Sequence, residues 1–119
     1  MNATQLKEEL EQFYGTTKYH RLNLLPVLAT DGVAYFCKEA KAYWLFDDMS
    51  AFAMENLTTY FIVAIVRVKD HIGTITYESG NCEKLGEKHY DYTSLPSGEW
   101  KFFISNYPTE KVIMLPSEN

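Results

Sequence analysis

The stretch Thr30–Ala53, TDGVAYFCKEAKAYWLFDDMSAFA, decides the fold that this sequence predicts. Its apolar residues recur at the spacing that places side chains on one face of a helix, namely Ala42, Leu45, Phe46, Met49, Phe52 and Ala53. Asp47, Asp48 and Ser50 are expected to point away from this face. The stretch therefore predicts a helix that packs its apolar side across a sheet.

The beginning of this stretch carries a second apolar stripe, which includes Val33 and Phe36. Because the two stripes are not continuous, we expect the segment to break near residues 38–41 into a short helix and a longer one. Thr30 or Asp31 has the side-chain oxygen that an N-terminal helix cap requires.

The flanking sequence completes an α+β pattern. A first helix is expected from Asn2 or Thr4 to Gly15, and Arg21–Ala29 is predicted to be an edge strand or an extended linker because Pro26 cannot donate to a strand ladder. Strands are predicted at Thr58–Val68, Thr74–Tyr77, Lys84–Thr93, Trp100–Ile104 and Lys111–Leu115, with turns at Asp70–Gly73 and Asn106–Glu110.

Thr58–Val68 is apolar on both alternating faces, which is typical of a central strand. Helices followed by antiparallel strands predict a two-layer sandwich, in which the N-terminal helix and a central helix or helix pair pack on about four to five strands. At 119 residues, the chain (1–119) is expected to form a single domain.

Composition narrows the classes of function. A net charge of −5 disfavours nucleic-acid binding, because that affinity comes mostly from Lys and Arg. Cys37 and Cys82 lie far apart without metal or redox spacing and are expected to be free thiols. The sequence shows neither a signal peptide nor an apolar run of membrane-spanning length, so we expect a cytoplasmic protein that does not bind membranes.

One pair of residues has a spacing that suits catalysis or metal binding. His89 and Asp91 are two positions apart on a predicted strand and therefore share a face, as an oriented general base or two metal ligands would. No third ligand is identifiable, and two exposed polar residues on the solvated face of a strand explain the pair more simply than a site does. The adjacent carboxylates Asp47 and Asp48 diverge by roughly 100° on a helix and do not form a facing acid–base pair.

No phosphate-binding loop, nucleophile elbow or HExxH motif is present in the sequence. We therefore predict no cofactor and no catalytic residue, and the sequence leans toward a protein that is not an enzyme. Two alternatives stay open: a small metal-dependent or histidine-based enzyme that uses His89 and Asp91, and a ligand-sequestering domain with a pocket lined by Tyr43, Trp44 and Trp100.

Aromatic residues are dense in segments that should touch solvent, at Tyr14, Tyr19, Tyr43, Trp44, Tyr77, Tyr90 and Tyr92. Tyr and Trp dominate binding hot spots because they bury a large area at a low entropic cost. We therefore predict a protein-binding surface formed by Tyr43, Trp44, Asp47, Asp48, Tyr90 and Tyr92. Whether the acidic surface mimics nucleic acid, and which oligomeric state the chain adopts, stay open.

Three stretches, LKEELEQFYGTTKYHR, VLATDGVAYFCKEAKAYWLFDDMSAF and VIMLPSEN, carry a resemblance to a known family. The chain resembles small bacterial and phage-associated proteins that share a domain of unknown function, most specifically at TDGVAYF, AYWLFD and LPSEN. The resemblance implies no activity, cofactor or catalytic residue. Because a scattered phage-associated distribution is typical of counter-defence proteins, it implies an anti-CRISPR-like inhibitor whose partner is a bacterial defence or regulatory complex.

Overall fold

A computed structural model describes residues 2–106 and 110–119, which form three α-helices and a six-stranded mixed sheet. The helices are α1 (Ala3–Leu10), α2 (Asp31–Glu39) and α3 (Tyr43–Glu55), and a short 3₁₀ turn spans Pro116–Glu118. The strands are β1 (Val27–Ala29), β2 (Phe61–Lys69), β3 (Ile72–Ser79), β4 (Lys84–Tyr90), β5 (Gly98–Asn106) and β6 (Lys111–Met114). The predicted α+β class is confirmed, with six strands rather than four to five because the three residues after Pro26 join the sheet.

The strand order is β1-β6-β5-β2-β3-β4. β1 pairs with β6 in parallel, whereas the other four pairings are antiparallel. β2 lies inside the sheet between β5 and β3, as its two apolar faces predict. Asp70 and His71 both have positive φ, 51° and 67°, and form the two-residue turn that joins β2 to β3.

The predicted break in the organising stretch is confirmed. Thr30 caps α2 by accepting from the Val33 backbone N–H, and α3 begins at Tyr43 after Lys41 adopts a left-handed φ of 53°. The predicted core face of α3 is buried, apart from Phe52, which is half-buried and packs on the core.

Four expectations from the sequence need correction or fall outside the described residues. Ser50 is fully buried rather than outward-facing, because Asn23 from the segment before β1 covers it, with Nδ2 3.4 Å from the Ser50 hydroxyl. Tyr77 is only 3% exposed, because it faces the core side of β3, where Phe52 stacks on it. The first helix ends at Leu10 rather than Gly15, and the turn predicted at 106–110 includes residues 107–109, which lie outside the described residues.

The early end of α1 has a visible backbone cause. The N–H groups of Gln12 and Phe13 bond the carbonyls of Glu9 and Leu10, three residues back, which tightens and closes the helix. Phe13 still packs on the core, and its ring centroid lies 5.4 Å from that of Tyr35.

The C-terminal turn is fastened to the start of α2 by one carboxylate. Glu118 accepts hydrogen bonds from the Gly32 N–H (2.9 Å), the Leu115 N–H (3.0 Å) and the Thr30 hydroxyl (2.5 Å). A Cβ at position 32 would lie 2.5 Å from Leu115 Cδ1 and 2.7 Å from Glu118 Oε1, so any side chain there would have to displace Leu115 and the Glu118 carboxylate. Two of the stretches that carry the family resemblance, TDGVAYF and LPSEN, therefore meet here.

Candidate functional site

Helix α3 and strand β4 bring together four side chains, Trp44, Asp48, Lys88 and Tyr90, which we name the α3–β4 cluster. Trp44 and Asp48 are four residues apart and occupy the same side of α3. Lys88 and Tyr90 are two residues apart on β4 and point toward the helix layer. Three of the six residues predicted to bind a partner, namely Trp44, Asp48 and Tyr90, are therefore in contact.

Tyr90 is the centre of the cluster. Its ring meets Trp44 edge to face, with centroids 5.2 Å apart at 72°, which is a favourable aromatic geometry. Its hydroxyl donates to Asp48 Oδ2 at 2.6 Å. Lys88 Nζ lies 3.1 Å from the same oxygen and 5.4 Å from the Tyr90 ring centroid. Tyr90 is therefore fixed on both its ring and its hydroxyl.

The environment keeps the cluster tyrosine neutral. Burial raises the pKa of Tyr90 far above its ordinary value, and the hydrogen bond to Asp48 raises that pKa further. Burial also raises the pKa of Tyr77, with a smaller contribution from the Asp48 charge. Tyr90 therefore acts at neutral pH as a hydrogen-bond donor and an apolar surface.

Two surface depressions border the cluster. One is lined by Trp44, Tyr90, Tyr92, Thr93 and Ser94. The other lies beside Asp48 and Lys88 and reaches Phe52 and Gly86. Phe52 stacks on Tyr77 with ring centroids 3.7 Å apart, and a Cβ at Gly86 would approach Phe52 Cε1 to 2.6 Å. The absence of a side chain at position 86 therefore leaves room for this stack.

The remaining predicted partner-binding residues are arranged around the cluster or away from it. Tyr92 is 70% exposed, borders the first depression, and stacks on His71 with centroids 5.3 Å apart. Tyr43 is 47% exposed at the start of α3. Asp47 is turned away from the cluster and accepts from Asn23 Nδ2 at 2.9 Å. Tyr92 thus extends the cluster, whereas Asp47 belongs to the contact between α3 and the segment before β1.

His89 and Asp91 are close, as their spacing predicts, with Nε2 and Oδ1 3.4 Å apart. Both are exposed, and His89 pairs with Thr74 on the sheet face opposite the helices. Within residues 2–106 and 110–119, no three His, Cys, Asp or Glu side chains lie close enough together to hold a metal ion. The pair can form an ion pair when the histidine is protonated.

The residues proposed for a ligand pocket are not brought together. Trp44 borders the depression next to Tyr92, whereas Trp100 lines a separate groove beside α1. Cys37 is buried and Cys82 exposed, and both are free, as predicted. Burial raises the pKa of the Cys37 thiol to about 12, with a smaller contribution from the charge of Asp47. In the part of the chain that the structure describes, no helix has both the length and the apolar character needed to cross a membrane.

Sequence reasoning missed Lys88. The available signal was the two-residue spacing between Lys88 and Tyr90, which places both on one face of β4. The sequence cannot show that α3 crosses this face with Asp48 at the same height. The contact between Lys88 and Asp48 depends on that packing.

Comparisons with other proteins support the fold and assign no activity. A family model described as "Family of unknown function (DUF6876)" matches residues 4–119. A solved structure titled "Crystal structure of the protein of unknown function from Enterococcus faecalis" is similar at a TM-score of 0.59 and 16% identity, over 86% of this chain and 98% of that chain. A comparison with curated proteins finds no match.

Proposed function

We propose, from the premise that this chain belongs to the family of unknown function DUF6876, that it is a non-enzymatic protein-binding module. Its contact surface is the α3–β4 cluster together with the adjacent Tyr92. We further propose that it acts in the cytoplasm as an anti-CRISPR-like inhibitor of a bacterial defence or regulatory complex.

The observation that carries the binding role is the arrangement of aromatic side chains around the first depression. Trp44 and Tyr90 are held in one geometry before any partner arrives, and Tyr92 stands next to them largely exposed. Rigid aromatic side chains beside a depression are what binding hot spots use, since little side-chain entropy remains to be lost on association. Asp48 and Lys88 add a polar rim.

The class of partner is supported by different observations. The net charge of −5 favours a partner with a basic surface, because complementary charge accelerates encounter. The inhibitor role is supported by the phage-associated distribution of the proteins that the chain resembles. The alternative enzyme based on His89 and Asp91 has no comparable support among the described contacts.

The test compares one exposed tyrosine inside the surface with one outside it. Wild-type protein, Tyr92→Ala and Tyr14→Ala are immobilised, incubated with bacterial lysate at physiological salt, and the retained proteins identified by mass spectrometry. Tyr14 is 80% exposed and lies just beyond α1, so its variant is a matched control. We expect a stable partner to be retained by wild type and Tyr14→Ala and lost by Tyr92→Ala.

Circular dichroism must show all three proteins equally folded. A partner lost equally from both variants, or retained by both, contradicts the assignment of the surface. The absence of any stable partner contradicts the binding role itself. Retention that weakens steeply with added salt identifies charge as part of the contact.

A further inference from the structure

The hydroxyl of Tyr77 has no hydrogen-bond partner within residues 2–106 and 110–119, although Tyr77 is only 3% exposed. Every fully enclosed side-chain N or O atom in these residues does have a partner, so the Tyr77 oxygen must still reach solvent. It does so in the depression between α3 and β4, which Tyr77 lines together with Phe52 and Gly86. A nearly buried hydroxyl therefore opens into this depression with its hydrogen-bonding capacity unused.

Four charged side chains line the same depression, and one of them is not compensated. Asp48 pairs with Lys88 across the depression at 3.1 Å, and Glu87 pairs with Lys84 on its own strand. Glu55 is exposed and makes no ion pair with any residue that the structure describes. The depression therefore carries one unpaired negative charge, at Glu55.

The position of Glu55 in α3 adds to this negative potential. Glu55 is the last residue of α3, and the last turn of the helix contains no basic residue. The C-terminus of a helix carries a partial negative charge, so it favours a cation and disfavours a carboxylate. The free protein thus has an acid where the helix favours a base, and a bound cation would relieve this conflict.

The unbonded hydroxyl and the carboxylates act on one another. Burial raises the pKa of Tyr77, and the charges of Asp48 and Glu55 raise it further. Tyr77 therefore stays neutral, and its oxygen can accept a hydrogen bond. Asp48 contacts both Tyr90 and Lys88 through Oδ2, which leaves its Oδ1 as a further acceptor.

We propose that this depression binds the guanidinium group of an arginine side chain of the partner protein. One edge of the guanidinium donates to the Glu55 carboxylate, another N–H donates to the Tyr77 hydroxyl oxygen, and the plane lies against the exposed part of the Phe52 ring. The inference rests on the proposed binding role and names the side chain that the partner contributes beside the α3–β4 cluster.

The chemistry of the depression distinguishes arginine from other occupants. A guanidinium has several donors in one plane and no acceptor, so it suits a carboxylate and a hydroxyl oxygen that flank an aromatic ring. An ammonium group would compensate the charge of Glu55 but would not cover the half-buried Phe52 ring. An anion would be repelled by Glu55 and by the end of α3.

The experiment titrates acetyl-Gly-Arg-Gly-amide into the ¹⁵N-labelled full chain and follows backbone amides by NMR. The matched probe is acetyl-Gly-citrulline-Gly-amide, whose side chain has nearly the same shape but no charge. We expect saturable shift changes at Ala51, Phe52, Glu55 and Gly86 with the arginine probe. The citrulline probe should bind at least about tenfold more weakly, because hydrogen bonds between charged groups are the stronger ones.

Three variants assign the contacts. Glu55→Gln should raise the Kd of the arginine probe about tenfold, because it removes the unpaired charge. Tyr77→Phe should raise it about fivefold and leave the melting temperature unchanged, because the hydroxyl bonds no protein group. Glu8→Gln is the control, since Glu8 is exposed on α1 and its loss changes the net charge equally, and it should leave Kd unchanged.

Several results would overturn the proposal. They are the absence of saturable shifts, equal affinity for the two probes, and equal Kd values in Glu55→Gln and Glu8→Gln. Tighter binding of free L-arginine than of the peptide would identify a small-molecule site instead. Shifts that grow with protein concentration without a probe would show that Arg67 of a second copy, which is exposed on β2, fills the depression.

The lysate experiment separates this proposal from the proposed function. A partner that Tyr92→Ala loses but that Glu55→Gln and Tyr77→Phe both retain in full would refute the arginine contact and leave the binding role standing. The absence of any partner would refute the binding role itself. Loss of the partner by Glu55→Gln but not by Glu8→Gln, together with the difference between the two probes, supports the arginine contact.

Discussion

Replacing Tyr90 by Phe should destabilise the protein more than removing the charge of Lys88, although both side chains contact the same oxygen of Asp48. The Tyr90 hydroxyl donates at 2.6 Å to a carboxylate whose side chain is 28% exposed. A hydrogen bond to a charged group contributes about 1.5–3 kcal/mol to folding. Because Lys88 still contacts the carboxylate in Tyr90→Phe, we expect the lower end, about 1.5 kcal/mol.

The contact between Lys88 and Asp48 should contribute less to stability, because Lys88 is largely exposed to solvent. Its side chain is 53% exposed, and ion pairs in such surroundings contribute about 0–1 kcal/mol. Lys88→Met retains most of the aliphatic stem that packs near Tyr90 and removes only the charge. We therefore expect Lys88→Met to cost less than about 1 kcal/mol.

Urea denaturation followed by tryptophan fluorescence measures both free energies of unfolding. For a chain of this length, a loss of about 1.5 kcal/mol lowers the melting temperature by about 6 °C. Tyr92→Phe is the matched control, because Tyr92 is 70% exposed and should change stability by less than about 0.5 kcal/mol. If Lys88→Met costs as much as Tyr90→Phe, or Tyr90→Phe is no worse than the control, the hydroxyl does not organise the cluster.

Three further predictions concern the rest of the fold. Glu118→Ala removes the acceptor of two hydrogen bonds from the start of α2 and one from the Leu115 N–H, and should lower the free energy of unfolding by about 2–4 kcal/mol in urea titration. The hydrogen bond from His20 is the first cause that holds the pKa of Asp31 well below its ordinary 3.8. The ionised Asp31 therefore stabilises the folded protein above about pH 4, and this contribution is lost as the pH falls further. Asp31→Asn should flatten this acid dependence of the melting temperature. Gly86→Ala places a Cβ 2.6 Å from Phe52 Cε1 and should cost about 1 kcal/mol, recovered when Phe52→Leu is added.

Each of these variants has a control and a contradicting result. Ser117→Ala, beside Glu118, should leave the free energy of unfolding within about 0.5 kcal/mol of wild type. An equal loss in Ser117→Ala and Glu118→Ala would refute the stabilising role of the Glu118 hydrogen bonds. Asp91→Asn, with its side chain fully exposed, should keep the acid dependence that Asp31→Asn loses. If Gly86→Ala leaves stability unchanged, or Phe52→Leu does not restore it, the contact with Phe52 does not explain why a side chain at position 86 is destabilising.

The sequence predicts the elements well where local signals and burial agree. The two stripes around Phe36 and Phe46 predict both helices and the break between them, and the doubly apolar run of β2 predicts its place inside the sheet. Ser50 was wrongly predicted because its burial depends on Asn23, 27 positions earlier in the chain. The parallel pairing of β1 with β6 likewise has no local signal, since it joins residues more than eighty positions apart.

The candidate site, too, can be predicted from the sequence only in part. Aromatic density at Trp44, Tyr90 and Tyr92 is visible in the sequence, but the choice of Asp48 rather than Asp47 as the cluster acid is not. The two carboxylates are adjacent, and only the packing of α3 across β4 decides which one meets Lys88. The packing of one element on another therefore decides which of several suitable residues form the cluster.

The cluster also separates residues that position the surface from residues that would contact a partner. Tyr90 is engaged on its ring and its hydroxyl, so any substitution there changes stability and binding together. Tyr92 stacks only on His71 and leaves most of its surface to solvent, so Tyr92→Ala should weaken a partner while leaving the free energy of unfolding within about 0.5 kcal/mol of wild type. A loss of binding that always followed the loss of stability across both positions would mean that the surface acts only through the fold.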